Sequence, residues 1–348
     1  MSYLTSTYID CEVMQAMLDD MFRTCTTPQE SMLALEAILA TQKAAGISQA
    51  VSDGNGKVKN VRVIYEKRLL ESAVTAGSGA RSCTTTNETF DTEALYTIDP
   101  AVWLTASERF TTANLATVCY TDVQQMLARK INKVIDVIER KIATQTAQQL
   151  VVLTGKWGDN VSGTVNGSDE LVLAQYSVTA SKTIDYSTMV TLDNALNQTG
   201  YCAPAIIVGG TALSDYMKFA NHGCCSDSGV NVLDIANTFG KVVLYDKRVK
   251  TALGSELKSI AFQAGSLALI TYNEAAQVPN LGANYAKFKM FSPRTGLPID
   301  IVLKDDCGTI SVVGYANTKL VALPSDMFAV GDEYEGVNFV NKILVTNP

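Results

Sequence analysis

Between Thr121 and Leu150 the chain sets Val123, Leu127, Ile131, Val134, Ile138 and Ile142 at steps of three and four residues. That period lays one apolar face along an α-helix. Thr121 and Gln124 form a capping box at its start, and Asp122 stands where the helix dipole favours an acid. Asp136 and Arg140 add an i,i+4 ion pair. A helix over 121–150 is roughly 45 Å long at 1.5 Å per residue. A compact globule of this chain length is only about 50 Å across. One element therefore spans nearly the whole subunit, and the molecule is expected to be extended and flattened.

Before this helix, residues 1 to about 50 read as an arm with two short helices. The second has Thr27 at its N-cap, Pro28 at its first position and Glu30 closing a capping box; Met32, Leu35 and Leu39 share a face, and Gly46 ends it. Asp53-Gly54-Asn55-Gly56 signals a turn. Val61, Val63 and Tyr65 then alternate with polar or outward positions, and Phe90, Ala94, Tyr96 and Ile98 do the same after a small, polar stretch from Ser72 to Glu88. These strands predict a long two-stranded excursion with a polar tip. A lone hairpin is marginal in water, so its apolar positions Val61, Val63, Tyr65, Phe90 and Tyr96 are candidates for contact with a neighbouring subunit.

From about Thr183 the pattern becomes α/β. A helix opens at Ser187, carries Met189, Leu192 and Leu196, and stops at Gly200; Pro204 to Gly209 is a buried strand. Helices are expected over 211–220 and 232–238, with His222, Cys224 and Cys225 in the loop between them. Lys241 to Asp246 is a strand, and Gly265-Ser266 turns a hairpin between strands 259–264 and 267–273. Beyond Asn284 the chain reads as antiparallel strands over 285–291, 297–304, 309–315 and 319–323, with turns at Pro293–Gly296 and Asp305–Gly308.

The 348 residues, 47% of them hydrophobic, can fill a core of two or three domains. The net charge of −7 does not suit a dedicated nucleic-acid binder, and is neutral toward enclosing DNA without gripping it. Eight scattered cysteines without a Cys-x-x-Cys pair, behind an N-terminus with no leader pattern, are expected to be reduced thiols. No apolar run reaches the roughly 20 residues a membrane helix needs, so no membrane partner is expected.

Catalytic patterns are missing. His222 is the sole histidine, which excludes paired-histidine metal helices, and no Gly-x-Ser-x-Gly elbow is present. The Gly-Lys pairs at 56–57, 155–156 and 240–241 lack the glycine five residues upstream that a phosphate loop requires. Gly209-Gly210 lacks the rest of a dinucleotide fingerprint and reads as a tight strand-to-helix turn. His222, Cys224 and Cys225 crowd too closely for zinc spacing, and Asp305-Asp306 reads as a turn. Lys57, Lys59, Arg62, Lys67, Arg68 and Arg81 are interleaved with acids and are read as inter-subunit ion-pair partners. No catalytic, cofactor-binding or metal residue is assigned.

The order of these elements resembles the major capsid protein of tailed bacteriophages, a fold shared with herpesvirus capsid floors. Asp193 to Gly209, with its Gly200-Tyr201 break and Pro204-led strand, is similar to that family's pattern; so are Phe239-Gly240-Lys241-Val242 before Tyr245-Asp246, and the Gly-turn segment Ala261 to Ile270. The resemblance implies an α+β fold with an N-terminal arm (1–53), an extended β-hairpin loop (54–99), a peripheral domain (100–182 and 284–348) holding the spine helix 121–150, and an axial domain (183–283). It implies a non-enzymatic subunit that assembles into hexamers and pentamers of an icosahedral head, formed in the host bacterial cytoplasm around double-stranded DNA. It further implies scaffold, portal and decoration proteins as partners, and no cofactor. The rival expectations are an encapsulin-type nanocompartment shell, another virion structural protein, or an α/β enzyme with an unrecognised site.

Overall fold

A computed structural model describes residues 15–20, 32–42, 50–52, 59–65, 92–98, 103–111, 123–158, 161, 163–174, 176–178, 181–183, 186–200, 205–210, 213, 241–272, 285–306, 308–325, 328 and 332–346. The fold is α+β, and the expected order of arm, hairpin, long helix, α/β region and terminal antiparallel strands is present.

Residues 15–20 are helical, and α1 follows at Leu33–Thr41. It opens at Met32 without a side-chain cap of its own; Thr27, Pro28, Glu30 and Gly46 lie outside the described residues. Next come β1 (Ala50–Ser52), β2 (Lys59–Tyr65) and β3 (Thr92–Ile98), an antiparallel sheet in the order β1-β2-β3. The expected hairpin thus gains a third strand from the segment read as arm. The turn 53–56 and the tip 72–88 lie outside the described residues.

The strand β4 (Leu104–Thr111) precedes α2 (Val123–Val152), which realises the long helix with 30 residues. Leu127, Ile131, Val134, Ile138, Ile142 and Leu150 are all buried along one face. Arg140 Nη2 pairs with Asp136 Oδ2 at 2.9 Å, as the spacing predicts. Short strands β5 (Thr164–Val165), β6 (Glu170–Ala174), β7 (Tyr176–Val178) and β8 (Ser181–Thr183) lead to α3 (Tyr186–Gln198) and β9 (Ala205–Gly209). The expected helices at 211–220 and 232–238 and the loop with His222, Cys224 and Cys225 fall outside the described residues, Leu213 excepted.

After β10 (Lys241–Tyr245) comes α4 (Lys247–Leu253), which the apolar period did not announce because its seven residues bury Val249 fully and Ala252 and Leu253 only in part. It is bounded by Asp246 at its N-cap and by Gly254 at φ 70°, a left-handed stop. The remaining strands are β11 (Lys258–Gln263), β12 (Leu267–Tyr272), β13 (Tyr285–Phe291), β14 (Pro298–Asp306), β15 (Thr309–Ala322) and β16 (Val340–Thr346).

Two larger sheets organise these strands. One runs β10-β9-β11-β16-β6-β5. The other runs β12-β15-β14-β13, with β4 also paired to β15. The expected hairpin of β11 with β12 does not form. β9 and β16 already occupy both edges of β11, so Gly265-Ser266 hands the chain to the other sheet, where β12 pairs with residues 317–322 of β15. The two strands expected at 309–315 and 319–323 are one strand, β15. Its first half is held between β14 and β4, and its second half continues beside β12.

The six-stranded sheet separates two cores, and strand alternation assigns its residues to them. Ile206, Val208, Ile260 and Phe262 join the large core with α1, α2 and the inner face of the five-stranded sheet. Ile207, Ala261, Ile343 and Val345 join the smaller one with Trp157, Leu192 and Leu196. Trp157 Nε1 donates to the Lys342 carbonyl at 2.7 Å, so the buried indole leaves no orphan donor.

Candidate functional site

Four of the five residues expected to meet a neighbour, Val61, Val63, Tyr65 and Tyr96, belong to the small sheet. Backbone register sets Val61 opposite Tyr96, Val63 opposite Ala94 and Tyr65 opposite Thr92. Val61 and Tyr96 are therefore brought together across one ladder, with Val63 and Tyr65 following along β2. Phe90 lies outside the described residues. β1 closes the far edge through Ala50–Arg62, Val51–Val61 and Ser52–Asn60. Among the described residues the three strands pair with one another alone, and β3 touches the body at β15.

Around α2 the arm is fastened by polar contacts that sequence spacing did not reveal. Gln15 Nε2 donates to the Phe291 carbonyl at 3.0 Å, and its Oε1 accepts from the Phe291 N–H at 3.2 Å, so residue 15 caps the free edge of β13. Arg294 Nε, in the β13–β14 turn, donates to Glu36 Oε1 on α1 at 2.7 Å. In the same turn Thr295 Oγ1 donates to Glu139 of α2. Burial raises the Glu139 carboxyl above its usual range, against the opposing hydrogen bonds from Ser292 and Thr295 and the charge of Arg294. Asp246 joins a second pair of elements. Its Oδ1 accepts from the Arg248 and Val249 N–H groups at 2.8 and 3.3 Å, and its Oδ2 from the Ala34 N–H at 3.0 Å. One buried carboxylate thus caps both α4 and α1.

Two of these had a sequence signal. Glu139 falls four residues after Ile135 and three before Ile142, in the apolar phase of the helix, where an acid must be buried. Asp246 follows a strand and precedes a short run that ends at Gly254, the spacing of a capped helix. Gln15 and Arg294 carried none, because their partners are 276 and 258 residues away.

On the opposite face of the five-stranded sheet Asp300 is 1% exposed, and neither carboxylate oxygen has a hydrogen-bond partner among the described residues. Burial raises its carboxyl too, against the charges of Lys289 and Lys287 on β13. At the outer edge of β4, Glu108 receives Lys130 Nζ at 2.9 Å and Lys133 Nζ at 3.5 Å; the Lys130 hydrogen bond lowers its carboxyl.

Positions weighed for chemistry have structural explanations. A Cβ at Gly210 would lie 2.0 Å from the Glu256 carbonyl oxygen, so close backbone approach accounts for that glycine. Asp305 accepts from the Gly308 N–H at 3.1 Å within its turn, and Asp306 pairs with Lys304 Nζ at 2.6 Å. Among the described residues no cluster of three or more histidine, cysteine or acidic side chains could hold a metal ion. No helix among them is long and apolar enough to cross a membrane.

No family model matches the chain, and no curated protein matches it. Among solved structures it is similar to a chain of Mycobacterium phage Adephagia, at 12% identity over 93% of this chain and 96% of that one, with a TM-score of 0.42. It is similar to a chain of the capsid of a native GTA particle, at 13% identity over 100% and 95%, with a TM-score of 0.40. It is also similar to a chain of the capsid of the cyanophage P-SCSP1u, at 9% identity over 87% of each, with a TM-score of 0.39.

Proposed function

We propose that this chain is the major capsid protein of a tailed bacteriophage, a structural subunit without enzymatic activity. The observation that carries the proposal is the sheet β1-β2-β3, whose ladders close on themselves outside both body sheets. A lone sheet of this size meets water on both faces, so its apolar positions favour a covering surface. A neighbouring subunit supplies that surface, and Val61, Val63, Tyr65, Phe90 and Tyr96 are the proposed contact positions. The 30-residue α2, tied to the arm through Glu36, Arg294 and Glu139, gives the body a rigid axis for transmitting such contacts.

In this proposal residues 1–53 form the arm, 54–99 the extended loop, 100–182 and 284–348 the peripheral domain, and 183–283 the axial domain. Four strands cross that division: β12 pairs into the five-stranded sheet, and β16, β6 and β5 complete the six-stranded one. Hexamers and pentamers of the subunit close an icosahedral head, assembled in the host cytoplasm with scaffold, portal and decoration proteins, around double-stranded DNA held without sequence recognition. Repeated equivalent interfaces are what close such a shell.

Purified protein, with scaffold supplied where assembly needs it, is expected to give closed shells by negative-stain microscopy and large species by mass photometry. A stable compact monomer under every such condition defeats the proposal. Shells that take up a cargo enzyme in place of DNA would instead identify a nanocompartment.

A further inference from the structure

β13 is an edge strand of the five-stranded sheet, paired with β14 along one side. In an antiparallel ladder successive residues turn their backbone groups alternately toward the partner and away from it. Phe291 stands opposite Pro298, which has no N–H to give, and the Phe291 N–H and carbonyl point outward, where Gln15 takes both. By the same alternation Tyr285, Lys287 and Lys289 direct their backbone groups to the open side, and among the described residues no hydrogen bond meets them there. The Gln15 amide, a donor and an acceptor side by side, imitates one residue of a partner strand. The arm covers the sheet's other end too: Gln42 Oε1 accepts the Leu269 N–H of β12 at 3.1 Å. An open strand edge is a template for pairing with another chain.

Alternation turns Ala286, Phe288 and Met290 of β13 to the large core, and Tyr285, Lys287, Lys289 and Phe291 to the other face. Lys289 is exposed and Phe291 is 51% exposed; Asp300, opposite Lys289 in the ladder, is buried.

We propose that the β13 edge, from Tyr285 to Lys289, receives a strand from a second copy of this chain, the one that begins at Asp91 and Glu93. Charge complementarity selects that strand. Lys287 and Lys289 stand two residues apart on β13, and Asp91 and Glu93 stand two residues apart at the head of β3, an outer strand of the small sheet. Main-chain hydrogen bonds supply the attachment, and opposite charges on alternate residues set the partner and its register. Gln15 closes the docking edge at Phe291. The inference rests on the small sheet reaching a neighbour and names the surface that it reaches.

The test follows backbone hydrogen exchange of the full-length chain by mass spectrometry, in the free subunit and in assembled shells. Exchange over 285–289 is expected to slow about tenfold or more on assembly, because amides that face water in the subunit become bonded. Lys287→Glu with Lys289→Glu is expected to abolish closed shells. Adding Asp91→Lys and Glu93→Lys, which returns the net charge to its native value, is expected to restore them. Lys289→Pro removes one outward N–H and no bond to β14, and is expected to lower the yield of shells while urea unfolding stays cooperative. Native shells in which 285–289 exchange as fast as in the free subunit overturn this inference alone, since the neighbour is then held elsewhere. Protection at 285–289 without rescue by the fourfold variant places a different strand on the edge and overturns the assignment to β3. A native chain that forms no assembly overturns this inference together with the reading it rests on.

Discussion

Glu139 stands in the apolar phase of α2, 4% exposed, with Thr295 donating to it from the β13–β14 turn. Burial raises its carboxyl above the ordinary value, so the folded protein holds that proton where the unfolded chain has released it. The stability this group contributes is complete below the unfolded pKa and is lost as pH rises through the raised folded one. Glu139→Gln removes the charge and keeps an acceptor oxygen for Thr295. The variant is expected to melt above the native chain at pH 8, with the gap closing as pH falls toward the ordinary carboxylate range; thermal melts across pH measure it, and a gap that widens on acidification refutes the assignment. Asp246 plays a different part, accepting backbone N–H groups from two helices. Asp246→Ala removes the cap of α4 and the partner of Ala34 together. It is expected to cost about 2–4 kcal/mol by urea denaturation, at about 1–2 kcal/mol for each helix terminus.

At the scale of elements, α2 owes its seat to a glycine on β15. A Cβ added at Gly314 would meet Val134 Cγ1 at 2.5 Å and Ile138 Cδ1 at 2.8 Å, so the helix lies on the sheet where a side chain is missing. Gly314→Ala is expected to destabilise by about 1–3 kcal/mol through overpacking. Val134→Ala empties the space that the new methyl enters. The double variant is therefore expected to be more stable than the sum of the two single effects predicts, and strict additivity in a double-mutant cycle would show that the helix and strand do not meet there. The helix itself was legible because its stripe of branched residues, Val123 to Ile142, repeats for about five turns, longer than chance patterning sustains. The strand β4 was not, although it alternates inward and outward along its whole length, because its inward positions Leu104, Ala106, Glu108 and Phe110 are only partly apolar. The failed hairpin at Gly265-Ser266 has a different cause. Turn chemistry is local and specifies the bend, whereas pairing is decided by which strand edges are still open, and both edges of β11 are filled by residues far away in sequence. The polar fastening of the arm was hidden for the same reason: Gln15 and Arg294 acquire meaning only once distant segments are adjacent.

At the scale of the whole molecule, the segments 183–283 and 284–348 cannot be pulled apart without cutting ladders. β16 of the terminal segment lies between β11 and β6, and β12 of the middle segment lies beside β15. The sheet β1-β2-β3 is different: among the described residues it shares no ladder with either, and β3 touches the body at β15. Folding energy of the body is therefore expected to lie outside residues 58–98, and the apolar positions of β2 and β3 are proposed to be covered by a neighbour. Replacing 58–98 by a short Gly-Ser linker tests this separation. Every labelled helix lies outside the replaced segment, so circular dichroism is expected to keep the helical signal, and urea unfolding is expected to stay cooperative. Shells are expected to be lost, since the surface proposed to reach a neighbour is gone. A truncated chain that unfolds would place the small sheet in the subunit's own core through its contact with β15. A truncated chain that still closes shells would make the sheet dispensable to assembly, and the proposed contacts at Val61, Val63, Tyr65, Phe90 and Tyr96 would have to be abandoned.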